Sequence, residues 1–187
     1  KIDILRIIMT NKLVKFSNPL ITKDGDQRAF VDFDGFKTLW FNTGTLCNIA
    51  CSNCYIESSP RNDRLVYLSF ADVVEFLNEL ENLSGKTCEI GFTGGEPFLN
   101  PDFLKMLEEC LRRNLSIMVL TNAMRPLQNK IKGLLQLKES FGAEKIVFRV
   151  SIDHYDKDVH EVERGVGTWD PMIKGLKWLR DNKHTIN

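Results

Sequence analysis

Two spacings of apolar residues alternate along most of the chain. Short apolar runs, typical of strands in a parallel sheet, occur at 38–43, 88–92, 116–120 and 145–151. Apolar residues at helical spacing occur at about 70–83, 101–111, 127–140 and 168–179. Strands that alternate with helices form right-handed βαβ units around a parallel sheet. The pattern therefore predicts an α/β fold with four βα units, and His184–Ile186 predicts the start of a fifth.

The first 36 residues follow a different pattern. Lys12–Phe16 and Ala29–Phe33 alternate apolar and polar residues and predict two short strands, with a turn at Asp24-Gly25 between them. We interpret residues 1–36 as an N-terminal extension and residues 37–187 as the core domain.

Three helix starts carry capping signals. Ser69 and Asp72 predict a reciprocal capping pair before the first helix. Asn100 predicts a cap with Pro101 in the first helical position, and Thr168 predicts the cap of the last helix. Each of these helices therefore follows the loop at the end of a predicted strand.

Composition and charge narrow the class of protein. The 187 residues include 25 Lys and Arg and 25 Asp and Glu, which gives a formal net charge of zero and does not favour a dedicated nucleic-acid or anionic-membrane binder. No apolar stretch approaches the roughly 18 residues of a membrane span. The chain contains 5 cysteines, and the crowding of several into one short segment indicates a metal site in a reducing compartment. We expect a cytoplasmic protein without a membrane or nucleic-acid partner.

The crowded cysteines follow the first predicted strand. Cys47, Cys51 and Cys54 have C-x3-C-x2-C spacing. Three thiolates this close can hold an iron–sulfur cluster and leave one iron without a protein ligand, whereas a purely electron-carrying [4Fe–4S] centre would have a fourth cysteine nearby. An open metal position can bind and activate a small molecule. A zinc site, which needs a fourth ligand such as His154, is the alternative that the spacing alone leaves open.

Further motifs follow the later strands in a fixed order. They are Thr93-Gly94-Gly95-Glu96-Pro97, Leu120-Thr121-Asn122-Ala123, Val150-Ser151-Ile152-Asp153 and Arg164-Gly165-Val166-Gly167-Thr168-Trp169. With the cysteines, these segments resemble the motifs of the radical S-adenosylmethionine (SAM) superfamily, in particular its maturase-like members, over roughly residues 37–187. The resemblance implies a partial parallel (β/α) barrel of six units. Because the chain shows four units and the start of a fifth, we expect the C-terminal part of the barrel to be missing.

The resemblance also implies two cofactors. Cys47, Cys51 and Cys54 would hold a [4Fe–4S] cluster whose open iron is chelated by SAM. Reductive cleavage of SAM would yield a 5′-deoxyadenosyl radical that abstracts hydrogen from the substrate, and a flavodoxin- or ferredoxin-type protein would supply the low-potential electron. The residues implied to contact SAM are Gly94, Gly95, Glu96, Asn122, Ser151, Asp153 and Arg164. The alternative for Asn122 is the cap of a turn, and the alternative for Arg164 is an ion pair with Asp153 or Glu161. No motif assigns a catalytic residue.

The residue types suit these roles. Glycines such as Gly94 and Gly95 let the backbone approach a ligand closely. Ser151 and Asp153 lie two apart and are predicted to share one face of the fourth strand. Ligands of parallel sheets bind at the carboxyl ends of the strands, where all of these motifs fall.

Two residues depart from the family pattern. Asn53 stands where the family has an aromatic residue before the third cysteine, and His154 replaces a glycine. His154 is either a proton donor or acceptor on the substrate side or an ordinary loop residue. The substrate is not identified, although the motifs favour modification of a peptide or protein, or cofactor biosynthesis. A non-catalytic iron–sulfur sensor or electron carrier and a zinc-binding interaction module are the alternatives.

Overall fold

The computed structural model describes residues 16–84, 88–142 and 144–187, in two units that divide after Asp34. In the described part of the first unit, an antiparallel bridge joins Ile21 and Gln27. The predicted turn at Asp24-Gly25 is present, because the Gly25 N–H donates to the Thr22 carbonyl at 3.1 Å.

One predicted strand of this unit is wrong. Ala29–Phe33 has no regular secondary structure. Its apolar side chains point into solvent, with Phe30 78% exposed and Val31 89% exposed, and no described strand pairs with it. A single strand without a partner leaves its backbone groups unpaired and is not stable. Of the other predicted strand, Lys12–Phe16, all but Phe16 lies outside the described residues.

The second unit is built on one parallel sheet. Its five strands are β1 (Thr38–Asn42), β2 (Glu89–Thr93), β3 (Ser116–Thr121), β4 (Ile146–Val150) and β5 (Thr185–Ile186). Their spatial order is the same as their order in the sequence. Each connection therefore moves one strand further in the same direction, as it does in a (β/α) barrel. The predicted α/β fold with a parallel sheet is confirmed.

Helices connect the strands. They are α1 (Phe70–Ser84), α2 (Phe103–Arg112), α3 (Arg125–Gln128), α4 (Ile131–Phe141), α5 (Lys157–Arg164) and α6 (Trp169–Asp181). The single helix predicted at 127–140 is two helices, because the chain makes a turn at Asn129 and Lys130. The short polar helix α5 was not predicted. Among the described segments, no helix is both long and apolar enough to cross a membrane.

The capping predictions have different outcomes. Ser69 and Asp72 bind each other's backbone N–H groups at 3.2 Å, as predicted. The side chain of Asn100 accepts the Asp102 N–H at 2.9 Å, one turn before α2. Thr168 occupies the N-cap position of α6, but its hydroxyl donates to the Gly165 carbonyl and makes no capping bond.

The core lies between the sheet and the helices. The large side chains that are fully buried there include Phe92, Phe103, Phe148, Ile90, Ile117 and Leu107, from β2, β3, β4 and α2. The Phe92 and Phe103 rings meet edge to face at 5.3 Å. Burying each such side chain contributes about 1.5–3 kcal/mol to the free energy of unfolding, so packing against the helices stabilises the sheet. The loops at the carboxyl edge of the sheet are not needed for this packing and can form a site.

Candidate metal and cofactor site

A cavity of about 320 Å³ lies at the carboxyl ends of the first four strands. All three crowded cysteines line it, together with residues that follow β2, β3 and β4. The predicted site residues among its lining are Cys47, Cys51, Cys54, Gly94, Gly95, Asn122, Ser151 and Arg164. Residues separated by more than a hundred positions thus converge on one cavity, as expected for ligands of a parallel sheet.

The three cysteines are free thiols. Cys47 is buried and burial raises its pKa to about 11, while Cys51 and Cys54 are half-buried. Burial also raises the pKa of Cys51, although the nearby Arg164 opposes this shift. The thiols of Cys47 and Cys51 are therefore protonated near neutral pH when no metal is bound, and metal binding releases their protons.

Each sulfur has an N–H donor within reach. Asn122 Nδ2 lies 3.9 Å from Cys47 Sγ, and Arg164 Nη1 lies 3.9 Å from Cys51 Sγ. The backbone N–H of Ser58 donates to Cys54 Sγ at 3.3 Å. Donors of this kind stabilise thiolates more than thiols, because the charged acceptor forms the stronger hydrogen bond. The surroundings of the three sulfurs therefore suit deprotonated, metal-bound cysteines.

The two glycines after β2 hold the cysteine loop close. The Gly95 N–H donates to the Gly44 carbonyl at 2.8 Å, and a side chain at Gly95 would overlap the backbone of Leu46, directly before Cys47. Gly94 has a φ of 133°, and a Cβ there would lie 2.7 Å from the Gly44 oxygen. Any larger residue would push the two loops apart, so these glycines set the distance between the thiols and the end of β2.

Glu96 does not line the cavity. It is buried behind the rim, and its carboxylate accepts hydrogen bonds from Thr121 Oγ1 at 2.8 Å, from the Asn122 N–H at 2.9 Å and from the Phe98 N–H at 3.3 Å. Burial raises its pKa to about 7, against the opposing effect of these donors. Glu96 therefore ties the end of β2 to the end of β3 and orients Asn122, whose side chain reaches Cys47.

Asp153 also lies outside the lining of the cavity. It forms a two-pronged ion pair with Arg164, at 2.6 and 3.1 Å. Burial acts to lower the pKa of Arg164, but Asp153 outweighs it and holds that pKa above its usual value. Asp153 thus positions the guanidinium that faces Cys51, while Ser151 faces the cavity directly.

The end of α5 binds the cysteine loop at a contact that the sequence analysis missed. Ser52, next to Cys51, donates from its N–H to the Glu163 carbonyl at 2.9 Å and from its hydroxyl to the Glu163 carboxylate at 3.0 Å. Neither residue belongs to a recognisable motif, and 111 positions separate them. Residue spacing carries no signal for such a contact.

The residues that depart from the family pattern occupy separate places. Asn53 lines the cavity, as does Tyr55, which follows the third cysteine. His154 does not, and its Nδ1 accepts the Asp156 N–H at 2.9 Å while its ring stacks on Tyr155. Within the three described ranges, no group of three or more His, Cys, Asp or Glu side chains is arranged to hold a single metal ion. His154 lies outside the cavity that the three cysteines line, so it is not placed beside them as a fourth zinc ligand.

Comparison with known protein families gives the class of this protein. The Radical SAM superfamily matches residues 41–187, and the chain belongs to this superfamily. The subtilosin biosynthesis protein AlbA of Bacillus subtilis is 32% identical over 142 residues, which cover 73% of this chain and 29% of AlbA. The mycofactocin maturase MftC of Mycolicibacterium smegmatis is 26% identical over 133 residues, 71% of this chain and 31% of MftC. The chain thus spans about three-tenths of these relatives.

Solved structures share the fold. SuiB of Streptococcus suis bound to S-adenosylmethionine superposes with a TM-score of 0.66 at 19% identity, covering 81% of this chain and 33% of SuiB. The protein anSMEcpe, with bound AdoMet and a peptide, superposes with a TM-score of 0.63 at 19% identity, covering 82% of this chain and 42% of that protein. The predicted radical SAM type of partial barrel is confirmed.

The superfamily uses a [4Fe–4S] cluster and SAM, and the donor set fits both groups. Three thiols with N–H donors beside them suit the cluster. Next to them, the glycine backbone after β2 and the polar groups of Asn122 and Ser151 face the same cavity, where SAM would reach the open iron. Both cofactor predictions are confirmed by membership of the superfamily.

Proposed function

We propose that this chain forms the catalytic core of a radical SAM enzyme that modifies a peptide. The observation that carries the proposal is the convergence of the three cysteines, the glycine turn and Ser151 on one cavity. Two relatives are a bacteriocin biosynthesis protein and a maturase, and SuiB was crystallised with its precursor peptide SuiA. These relatives favour a peptide substrate over a small metabolite.

Cys47, Cys51 and Cys54 would hold the cluster. When bound and reduced, the cluster would supply the electron for reductive cleavage of SAM, the chemistry that leads to hydrogen abstraction from the substrate. The chain's own task is to hold the thiolates, and the donors from Asn122 and Arg164 stabilise their negative charge.

The remaining site residues would bind and orient SAM. The backbone carbonyls at Gly94 and Gly95 would accept hydrogen bonds from its amino group, and Ser151 and Asn122 offer polar groups in the same cavity. Arg164 would bind a carboxylate while Asp153 keeps it in place. Glu96 would not contact SAM itself but would position Asn122, whose backbone N–H it binds. The protein thereby positions the cofactors and excludes water, while the cofactors supply the reactivity.

An external electron donor belongs to the proposal. Reductive cleavage of a sulfonium needs a potential at the low end of the range for protein clusters, roughly −700 to +450 mV. A flavodoxin or ferredoxin in a reducing compartment such as the cytoplasm would supply the electron. The five free cysteines are compatible with such a compartment.

The test is anaerobic reconstitution. The protein is loaded with iron and sulfide, given SAM and dithionite, and assayed for 5′-deoxyadenosine by chromatography. We expect product from the wild type and none from Cys51→Ala. Cys110→Ala is the matched control, since Cys110 is a buried core residue outside the cavity and this variant should keep its activity. A cluster-loaded wild type that forms no 5′-deoxyadenosine would favour an iron–sulfur sensor or electron carrier instead.

A further inference from the structure

The face of the sheet that points away from the helices continues from the cavity. Side chains alternate along a strand, so the residues between the buried core positions point to this opposite, concave face. On β1 to β4 they include Trp40, Gly91, Met118, Leu120, Val147 and Arg149. Leu120 lines the cavity, and so does Ser151, which directly follows β4. A substrate that reaches the cavity can therefore lie along this face.

One row across this face is apolar. The strand register places Trp40 beside Gly91, Gly91 beside Met118 and Met118 beside Val147. The Trp40 ring covers Gly91 so closely that a side chain there would overlap it, yet 45% of Trp40 remains exposed. The row is thus a fixed apolar surface with an aromatic ring at one end.

Arg149 carries a positive charge near the Val147 end of this row. Arg149 lies beside Leu120 in the register and two residues before Ser151, and it is exposed. It forms no ion pair or side-chain hydrogen bond with any residue in the described ranges. Two acidic residues of the rim do not bind Arg149, since Asp153 is paired with Arg164 and Glu96 is buried behind the rim. Arg149 is therefore available to an anionic group of a ligand.

We propose that Arg149 binds a carboxylate of the substrate, and that the row ending in Trp40 binds an apolar side chain of the same substrate. This inference rests on the proposed function and specifies its substrate as a peptide with an Asp or Glu near an apolar residue. A guanidinium can bind a carboxylate through two parallel hydrogen bonds. Three strand spacings, about 14 Å, separate Trp40 from Val147, and Arg149 lies two residues further along β4. Trp40 and Arg149 are therefore about 16 Å apart along the sheet, a distance that about five extended residues span.

A peptide-display selection tests the proposal. Random peptides are selected on the reconstituted, SAM-loaded wild type and on Arg149→Gln. We expect enrichment of Asp or Glu near an apolar residue on the wild type and loss of the acidic preference on Arg149→Gln. A selected peptide should bind the wild type about tenfold or more tightly than its Glu→Gln counterpart, because hydrogen bonds between charged groups are stronger than those between neutral groups. In Arg149→Gln this difference in affinity should disappear.

Controls separate the alternatives. Arg112→Gln makes the same change on the outer surface of α2 and should keep the acidic preference. SAM also carries a carboxylate, so a loss of SAM affinity in Arg149→Gln that matches the loss of peptide affinity would overturn the assignment to the substrate. A wild type that forms 5′-deoxyadenosine but shows no acidic preference would overturn this inference alone. A wild type that forms none would overturn the proposed function.

Discussion

Glu96 belongs to a cofactor motif, but its side chain acts on the protein. With 1% of its surface exposed, it binds three donors from two neighbouring segments and makes no contact with the cavity. Its pKa of about 7 lies above the ordinary value of 4.5, so the folded protein holds this proton more tightly than the unfolded chain. Glu96 is therefore a source of pH dependence within the site.

The sign of this dependence follows from the raised pKa. Glu96 contributes to the free energy of unfolding through its protonated form, because burial disfavours the charged form. This contribution is fully present below about pH 4.5 and is lost as the pH rises through about 7. Glutamine does not titrate, so Glu96→Gln does not lose stability in this way as the pH rises. Its NH2 group faces a hydrogen-bond donor that the carboxyl oxygen accepted from, which lowers the stability of the variant at every pH. Between about pH 5 and pH 8 we expect the wild type to lose roughly 2 kcal/mol more than the variant. Urea unfolding of both proteins measures this, and parallel pH profiles would contradict it.

At the same scale, the sequence predicts which residues meet but not how each side chain points. The cysteines and glycines line one cavity as predicted, because each follows the carboxyl end of a parallel strand. Ser151 and Asp153 were predicted to share a strand face, yet β4 ends at Val150. Strand alternation no longer applies beyond that point, and Asp153 turns to Arg164.

Helix α6 lies directly against the loop that follows β3. A side chain at Gly175 would overlap the carbonyl oxygen of Ala123, next to Asn122. Gly133 in α4 differs, because its nearest neighbour is the flexible end of the Leu104 side chain. One helical glycine is therefore required for close packing of the site, and the other is not.

This difference predicts two outcomes for the same substitution. Gly175→Ala forces α6 away from a rigid backbone atom, and we expect a loss of about 3 kcal/mol or more in unfolding free energy. Gly133→Ala displaces only a side-chain end and gains up to about 1 kcal/mol of helix propensity, so its net change should be small. Thermal unfolding of both variants and the wild type measures the two changes in stability. Equal losses would mean that the packing of α6 does not depend on Gly175.

Elements with a strong apolar pattern were predicted, and elements held by specific contacts were not. Helix α5 is polar along most of its length, but Asp156 caps its start and buried His160 packs on Trp169 at 5.2 Å. Its residue Glu161 accepts the Trp169 N–H at 3.0 Å and thereby takes the capping role that was assigned to Thr168. Such contacts depend on the tertiary structure, and no local pattern encodes them.

For the molecule as a whole, the three cysteines lie in one loop, and contacts from Gly95, Asn122 and Arg164 in later segments hold that loop at the sheet. Binding that requires the folded arrangement of Cys47, Cys51 and Cys54 stabilises the fold. We expect the cluster-loaded protein to unfold at a temperature several degrees higher than the metal-free protein, since each kcal/mol shifts the midpoint by roughly 2–4 °C at this size. Cys51→Ala should show no such increase after the same treatment, measured by anaerobic calorimetry. An equal increase in the variant would mean that the metal binds elsewhere.

The contact between Ser52 and Glu163 also affects when the cysteine loop can reach its native arrangement during translation. A ribosome releases the cysteine loop long before α5, since 111 positions separate the two partners. Until α5 has been made, the loop lacks both the Glu163 contact and the guanidinium beside Cys51. In a nascent chain that ends before Arg164, the three cysteines are present but their loop lacks these contacts. Cluster insertion into the native arrangement therefore follows the synthesis of Arg164.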